Sequence, residues 1–207
     1  IQPDDAEWDA ADYDYNVVRW SSEPDGNLLG IGPSVSNPLT GEIISADVVN
    51  KLLAIKLGYN YRKLYGYTED NDPLMQYITN LTLHEVGHVL GLRHNFRGSY
   101  LYSPDEIHDK NITGNVLMSS VMDYDPINIA PEGVEQGIYF STEPGVYDKW
   151  AVKFGYTPNL TDEERTALLQ QSVKRELTFG TDDDAMSYPG NNIDPRTKRY
   201  DMSNDPI

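Results

Sequence analysis

Residues 82–95 read TLHEVGHVLGLRHN, and within them His84, Glu85, His88, Gly91 and His94 form the spacing H-E-x-x-H-x-x-G-x-x-H. At about 3.6 residues per turn, His84 and His88 share one face of a helix, so their imidazoles can take two corners of a tetrahedral zinc site. Glu85 lies about 100° round the same helix, beside the metal without having to ligate it, where a general base would stand. Gly91 can adopt positive φ, end the helix in a left-handed turn and bring the chain back. His94 then supplies the third nitrogen. Three protein ligands leave one position open, as in catalytic rather than structural zinc sites.

The helix that carries these residues has a legible start. Asp72 is a good N-cap and Pro73 suits the first helical position, so the helix is predicted from Pro73 to about Leu90. Leu74, Tyr77, Ile78, Leu81, Val86, Val89 and Leu90 lie round most of its circumference. A helix apolar on nearly all sides is buried between layers, which suits a rigid platform for ligands.

Upstream, residues 1–14 are acidic and polar and read as irregular. Residues 15–20 (YNVVRW), 27–36 and 42–49 read as three strands, with a turn at Asn37-Pro38-Leu39-Thr40-Gly41. A hairpin edge just before the metal helix could hold a peptide by strand addition, through backbone hydrogen bonds that need no particular side chains. Residues 49–65 are predicted to be helical, although Val48 and Val49 suit a strand equally well.

Downstream, residues 95–118 are rich in Gly, Ser, Asn and Asp with little periodicity. His108 lies in the acidic run DEIHDK without a second ligand at metal spacing, and reads as a solvated loop residue. Acidic side chains there offer ligands to a structural calcium, but no loop of the helix-loop-helix calcium type is present. A helix is predicted to start at Ser141-Thr142-Glu143-Pro144, contain Tyr147, Trp150, Ala151 and Phe154, and stop at Gly155. Thr161 and Glu164 form a capping box opening a helix to about Glu176. Asp182, Asp183 and Asp184 offer another cation site, but a solvated acidic loop is the expected outcome there.

A zinc helix of this form, followed some tens of residues later by Ser119-Ser120-Val121-Met122-Asp123-Tyr124, resembles the metzincin metallopeptidases. The nearest resemblance is to a bacterial group of zinc-dependent metalloproteases called Met-zincin. It rests on YNVVRW, SNPLTGEII, LRHNF, SSVMDY, YDKWAVKFGY, FGTDDDA and YDMSNDP, and so covers most of the chain. The resemblance implies that Met122 lies under the metal without binding it, its polarizable thioether packed against the imidazoles. It implies that Tyr124, like its counterpart in astacin-like and serralysin-like enzymes, approaches the zinc and occupies a metal position or donates to the developing oxyanion. It also implies an α+β fold: a twisted mixed sheet and zinc helix in a first lobe (1–94), and a mostly helical or irregular lobe carrying the Met-turn (95–207). Asn95 departs from the residue that follows the third histidine in astacins, adamalysins, matrixins and serralysins. Residues 1–14 are too few for the strand and long backing helix with which such domains usually begin; either part of the sheet lies upstream or the helix at 49–65 takes over.

Composition narrows the function. The formal charge of −17 argues against an electrostatic grip on nucleic acid or an anionic membrane. With no cysteine there are no disulfides and no thiolate ligands. No apolar run approaches membrane-spanning length. The chain starts at Ile1 rather than Met, so an export signal would lie outside it, and the expected setting is secreted, periplasmic or cell-surface. Three N-x-S/T sequons, at Asn80, Asn111 and Asn159, read as chance, since Asn80 lies on the zinc helix. The expected activity is zinc-dependent endopeptidase action on a peptide or protein substrate, with Glu85 as base. Against it stands a zinc-bound but proteolytically silent module, or a latent piece that needs residues outside this chain. A zinc amidase acting on a non-peptide substrate would use the same site.

Overall fold

The computed structural model describes residues 2–3, 5–22, 28–185 and 194–205. Its sheet is mixed and centred on one long strand. Strand β1 (Val17–Ser21) runs parallel to β4 (Ile43–Lys51) on one side. Along the other side of β4 lie β2 (Gly30–Ile31) and β3 (Ser34–Ser36), both antiparallel to it. These two short strands replace the single strand expected over 27–36, of which Asn27 lies outside the described residues. They share one register, Gly30 opposite Asn50 and Ser34 opposite Ala46, and are parted by Gly32-Pro33. Proline has no N–H to give a ladder. Its carbonyl instead accepts from Asp47 N at 3.1 Å, which keeps the edge attached across the break.

Side chains alternate faces along a strand, so Ala46, Val48 and Asn50 share one face of β4, and all three are buried. Asn50 Nδ2 donates to Thr82 Oγ1 at 3.1 Å, which joins this face to the helix that bears the histidines. Strand β4 passes directly into helix α1 (Leu52–Tyr65). The helix starts later than the expected residue 49 because Val49 and Asn50 stay in the ladder opposite Arg19 and Trp20.

Helix α2 (Pro73–Val89) has the predicted start: the Asp72 carboxylate accepts from Leu74 N at 3.0 Å and pairs with Arg62 of α1. Helices α1 and α2 meet where Gly58 lies against Leu74; a Cβ there would come within 2.7 Å of Leu74 Cδ1. Around this contact Ala54, Tyr77, Tyr139 and Phe140 form a core, joined by Leu57, Tyr61, Leu81 and Ile127. The burial of α2 is more polar than expected. Ile78, Leu81, Val86, Val89 and Leu90 are only half-buried, whereas Gln76, Asn80, His84 and Glu85 are buried. Gln76 Oε1 accepts from Tyr139 N at 2.7 Å, and Asn80 Nδ2 donates to Ser141 O at 3.3 Å. These side chains bind irregular backbone that has no ladder of its own, and they account for a platform helix being polar inside.

After α2 the chain is mostly loop and short helix: a 3₁₀ turn at Gly98–Leu101, then α3 (Lys110–Thr113), α4 (Val146–Tyr156) and α5 (Asp162–Leu169). A second core of Ile107, Leu117 and Met118 supports this region. Helix α4 begins after Gly145, later than the expected Ser141–Pro144 start, and runs past Gly155 to Tyr156. Helix α5 has the predicted capping box but ends at Leu169 rather than near Glu176, and 3₁₀ turns at Gln170–Val173 and Arg175–Leu177 follow. Trp150 Nε1 donates to Leu168 O at 2.9 Å, satisfying a carbonyl at that helix end from outside. A further short helix, α6 (Asp182–Ala185), occupies the acidic run expected to be a loop. The whole is an α+β arrangement of a mixed sheet and helices. Among the described residues no helix is long and apolar enough to cross a membrane.

Candidate metal centre

Helix α2 ends as the motif predicts. Gly91 takes φ +85°, Gly91 N donates to His88 O at 2.9 Å and Leu92 N to Gly87 O at 2.9 Å. This left-handed cap turns the chain back and carries His94 to the face that holds His84 and His88. The ring centroids lie 4.8 Å apart for His84–His88, 4.7 Å for His88–His94 and 5.3 Å for His84–His94. One ring nitrogen from each falls within 4.8 Å of the others.

The outer nitrogens define which atoms face inward. His84 Nδ1 donates to Val121 O at 2.7 Å, His88 Nδ1 to Leu92 O at 3.0 Å and His94 Nδ1 to Asp182 Oδ2 at 2.8 Å. Carbonyl oxygens and carboxylates only accept, so each Nδ1 carries a hydrogen, and in the neutral ring that leaves Nε2 with the lone pair. Burial, and then the neighbouring His88, lower the pKa of His84 to about 3. Burial is also the largest influence on His88, and lowers it too. Neutral imidazoles are the form that ligates metal. His88 Nε2 and His94 Nε2 face each other at 3.2 Å, close enough for one ion to be shared between them. This donor set fits zinc: three imidazole nitrogens, each oriented by a hydrogen bond from its other nitrogen.

Glu85 is buried beside the cluster under the backbone of the β2 edge. A Cβ on Gly30 would lie 2.7 Å from Glu85 Oε1, and one on Gly32 only 2.2 Å from the Glu85 carbonyl oxygen. Only glycine lets the strand approach so closely. Burial pushes Glu85 up to about 7, opposed by a hydrogen bond from Gly32 N–H. A carboxyl poised there can hold or release a proton near neutrality.

Met122 is fully enclosed, with its sulfur against Gly87 of α2. Its loop is held by Asp148 of α4, which accepts from Ser120 Oγ (2.6 Å), Val121 N (2.8 Å) and Gly145 N (2.8 Å). Tyr124 follows, its hydroxyl 3.0 Å from His94 Nε2. Its ring packs on Phe96 (5.2 Å between centroids) and stacks on Tyr200 (5.7 Å). Burial raises its pKa, so the phenol keeps its proton at neutral pH.

Several residues around the cluster take roles that their sequence context does not specify. Asp182, expected in a solvated loop, holds His94 and also accepts from Arg199 Nη2 at 3.2 Å. Asn95, the departure noted above, is fully buried; its N–H donates to Met122 O at 3.0 Å, and its side chain donates to Thr178 O and accepts from Gly180 N, each at 3.1 Å. Only the neighbouring run FGTDDDA, quoted for the resemblance, hinted that this segment mattered. His108 is half-buried rather than solvated, with Nδ1 enclosed, and it stands apart from the triad. Asn80 is buried, in keeping with a chance sequon. Among the described residues, the triad is the one group of three or more His, Asp or Glu side chains that converges at ligand distance, so a calcium site on the acidic side chains gains no support.

The family described as Met-zincin matches residues 67–207 of the chain. No curated protein and no solved structure matches it.

Proposed function

This chain belongs to the Met-zincin family, and on that premise we propose that it is a zinc-dependent endopeptidase whose metal is held by His84, His88 and His94. The observation that carries the reading is the convergence of three hydrogen-bonded imidazoles beside a buried glutamate. When bound, zinc supplies Lewis acidity, polarising a carbonyl and lowering the pKa of water to about 7. Glu85 takes a proton from the attacking water and later gives it to the leaving amine, a task suited to its raised pKa. Tyr124, protonated, donates its O–H to the oxyanion as charge develops on the carbonyl oxygen. Met122 sits beneath as an apolar support for the imidazoles. The substrate lies extended along the Gly30–Gly32 backbone, which passes over Glu85 and can offer main-chain hydrogen bonds regardless of sequence. The acidic composition suits an exported or cell-surface setting for this work.

The experiment is Glu85→Gln assayed on casein or gelatin. Zinc should stay bound while hydrolysis falls by about 10²–10⁴-fold; unchanged turnover would remove Glu85 as the base. A second reading, a zinc-holding module without turnover, has one observation in its favour. Val18 and Trp20 of β1 are 61 % and 51 % exposed, as in a sheet short of cover. A mixed peptide library incubated with the wild-type chain, with and without chelator, separates the two: chelator-sensitive cleavage belongs to the peptidase alone.

A further inference from the structure

His94 differs from the other two imidazoles in what its outer nitrogen holds. His84 and His88 donate to neutral backbone carbonyls of Val121 and Leu92, whereas His94 donates to the carboxylate of Asp182. Hydrogen bonds to an ionised acceptor are roughly twice as strong as neutral ones. They orient the ring and raise the basicity of the inward nitrogen. Asp182 reaches this place through specific backbone docking. Asn95, the residue after His94, clasps Thr178 O and Gly180 N, and Phe96 N donates to Gly180 O at 2.7 Å. The chain therefore arrives at residue 182 already anchored to the ligand segment. From the other side, Arg199 Nη2 donates to Asp182 Oδ1 at 3.2 Å. Its guanidinium lies 5.0 Å over the Phe96 ring and 5.9 Å over that of Tyr124. Asp182 is thus gripped on both oxygens, one by a candidate ligand and one by a cation.

We propose that Asp182 is a positioning residue for the metal: it orients His94, with Asn95 delivering it and Arg199 supplying its counter-charge. Retention of zinc then depends on the segment around residue 180 and on the C-terminal stretch that carries Arg199, well outside the histidine motif. This rests on the reading of the triad as a zinc site. Removing an outer partner of this kind costs on the order of 10–100-fold in metal affinity.

The test is Co²⁺ titration of the full apo chain, followed by visible absorption, with zinc affinity measured in parallel by competition against a chromogenic chelator. Wild type should bind one Co²⁺. Asp182→Ala should loosen both metals about 10–100-fold and alter the Co²⁺ band, because the His94 ring is no longer oriented. Asp182→Asn, which keeps an oxygen for His94 Nδ1, should recover part of the loss, and Arg199→Ala should show a smaller loss with Asp182 intact. Wild-type affinity and spectrum in Asp182→Ala would overturn the proposal. Should that variant fail to fold by circular dichroism, Asp182→Asn decides on the same criterion. A wild-type chain that binds neither metal would instead sink the zinc reading itself, and this proposal with it.

Discussion

Gly87 of α2 leaves room for the sulfur of Met122: a Cβ on Gly87 would lie 2.2 Å from Met122 Sδ, and Met122 has no exposed surface into which to retreat. The residue before the second histidine of the motif must therefore be small for the Met-turn to close against the helix. Gly87→Ala is expected to cost about 1–3 kcal/mol through overpacking, despite the better helix propensity of alanine. Met122→Leu, which nearly conserves volume, should cost less than about 1.5 kcal/mol. Thermal melts of the two variants beside wild type check this. An unchanged melting temperature in Gly87→Ala would show that the contact is not tight.

Tyr124→Phe removes one hydroxyl and keeps the ring on Phe96 and Tyr200. Loss of a single oxyanion donor costs about 10²–10³ in kcat. The expectation is a fall of that size with KM and melting temperature little changed. A kcat equal to wild type would reduce Tyr124 to a packing residue.

Asp125 gives the fold a pH signature. Its Oδ2 accepts from Asn80 Nδ2 at 3.3 Å, its Oδ1 is enclosed without a partner, and burial pushes its pKa from the ordinary 3.8 up to about 8. Between those two values the folded chain holds a proton that the unfolded chain releases. The resulting stabilisation is full below about pH 4 and is lost as pH rises through about 8. Asp125→Asn abolishes this linkage. The melting temperature of wild type minus that of the variant should fall steadily from pH 5 to pH 8, and a constant difference would contradict the assignment.

The parts of the site written in consecutive residues are legible in the sequence. The His84–His88 spacing, the left-handed turn at Gly91 and the Asp72-Pro73 helix start follow from local geometry, and each appears where it was expected. What escaped depends on contacts far apart in the chain. Nothing near Asp182 shows that its carboxylate meets an imidazole 88 positions earlier. Gly30 and Gly32 read as strand glycines, because the glutamate they make room for lies on a later helix. The end of helix α5 is similar: beside the local Gln170 N–H, the Leu168 carbonyl there accepts from an indole on α4. The polar inner face of α2 was hidden because its partners are loop backbone, which leaves no periodic trace.

All of this depends on three imidazoles holding a single divalent ion. Elemental analysis of the chain purified without chelator measures that most directly, alongside Glu85→Gln and His94→Ala prepared identically. The expected result is one zinc per chain in wild type and in Glu85→Gln, with most of it lost from His94→Ala. No stoichiometric transition metal in wild type, or full zinc in His94→Ala, would contradict the account.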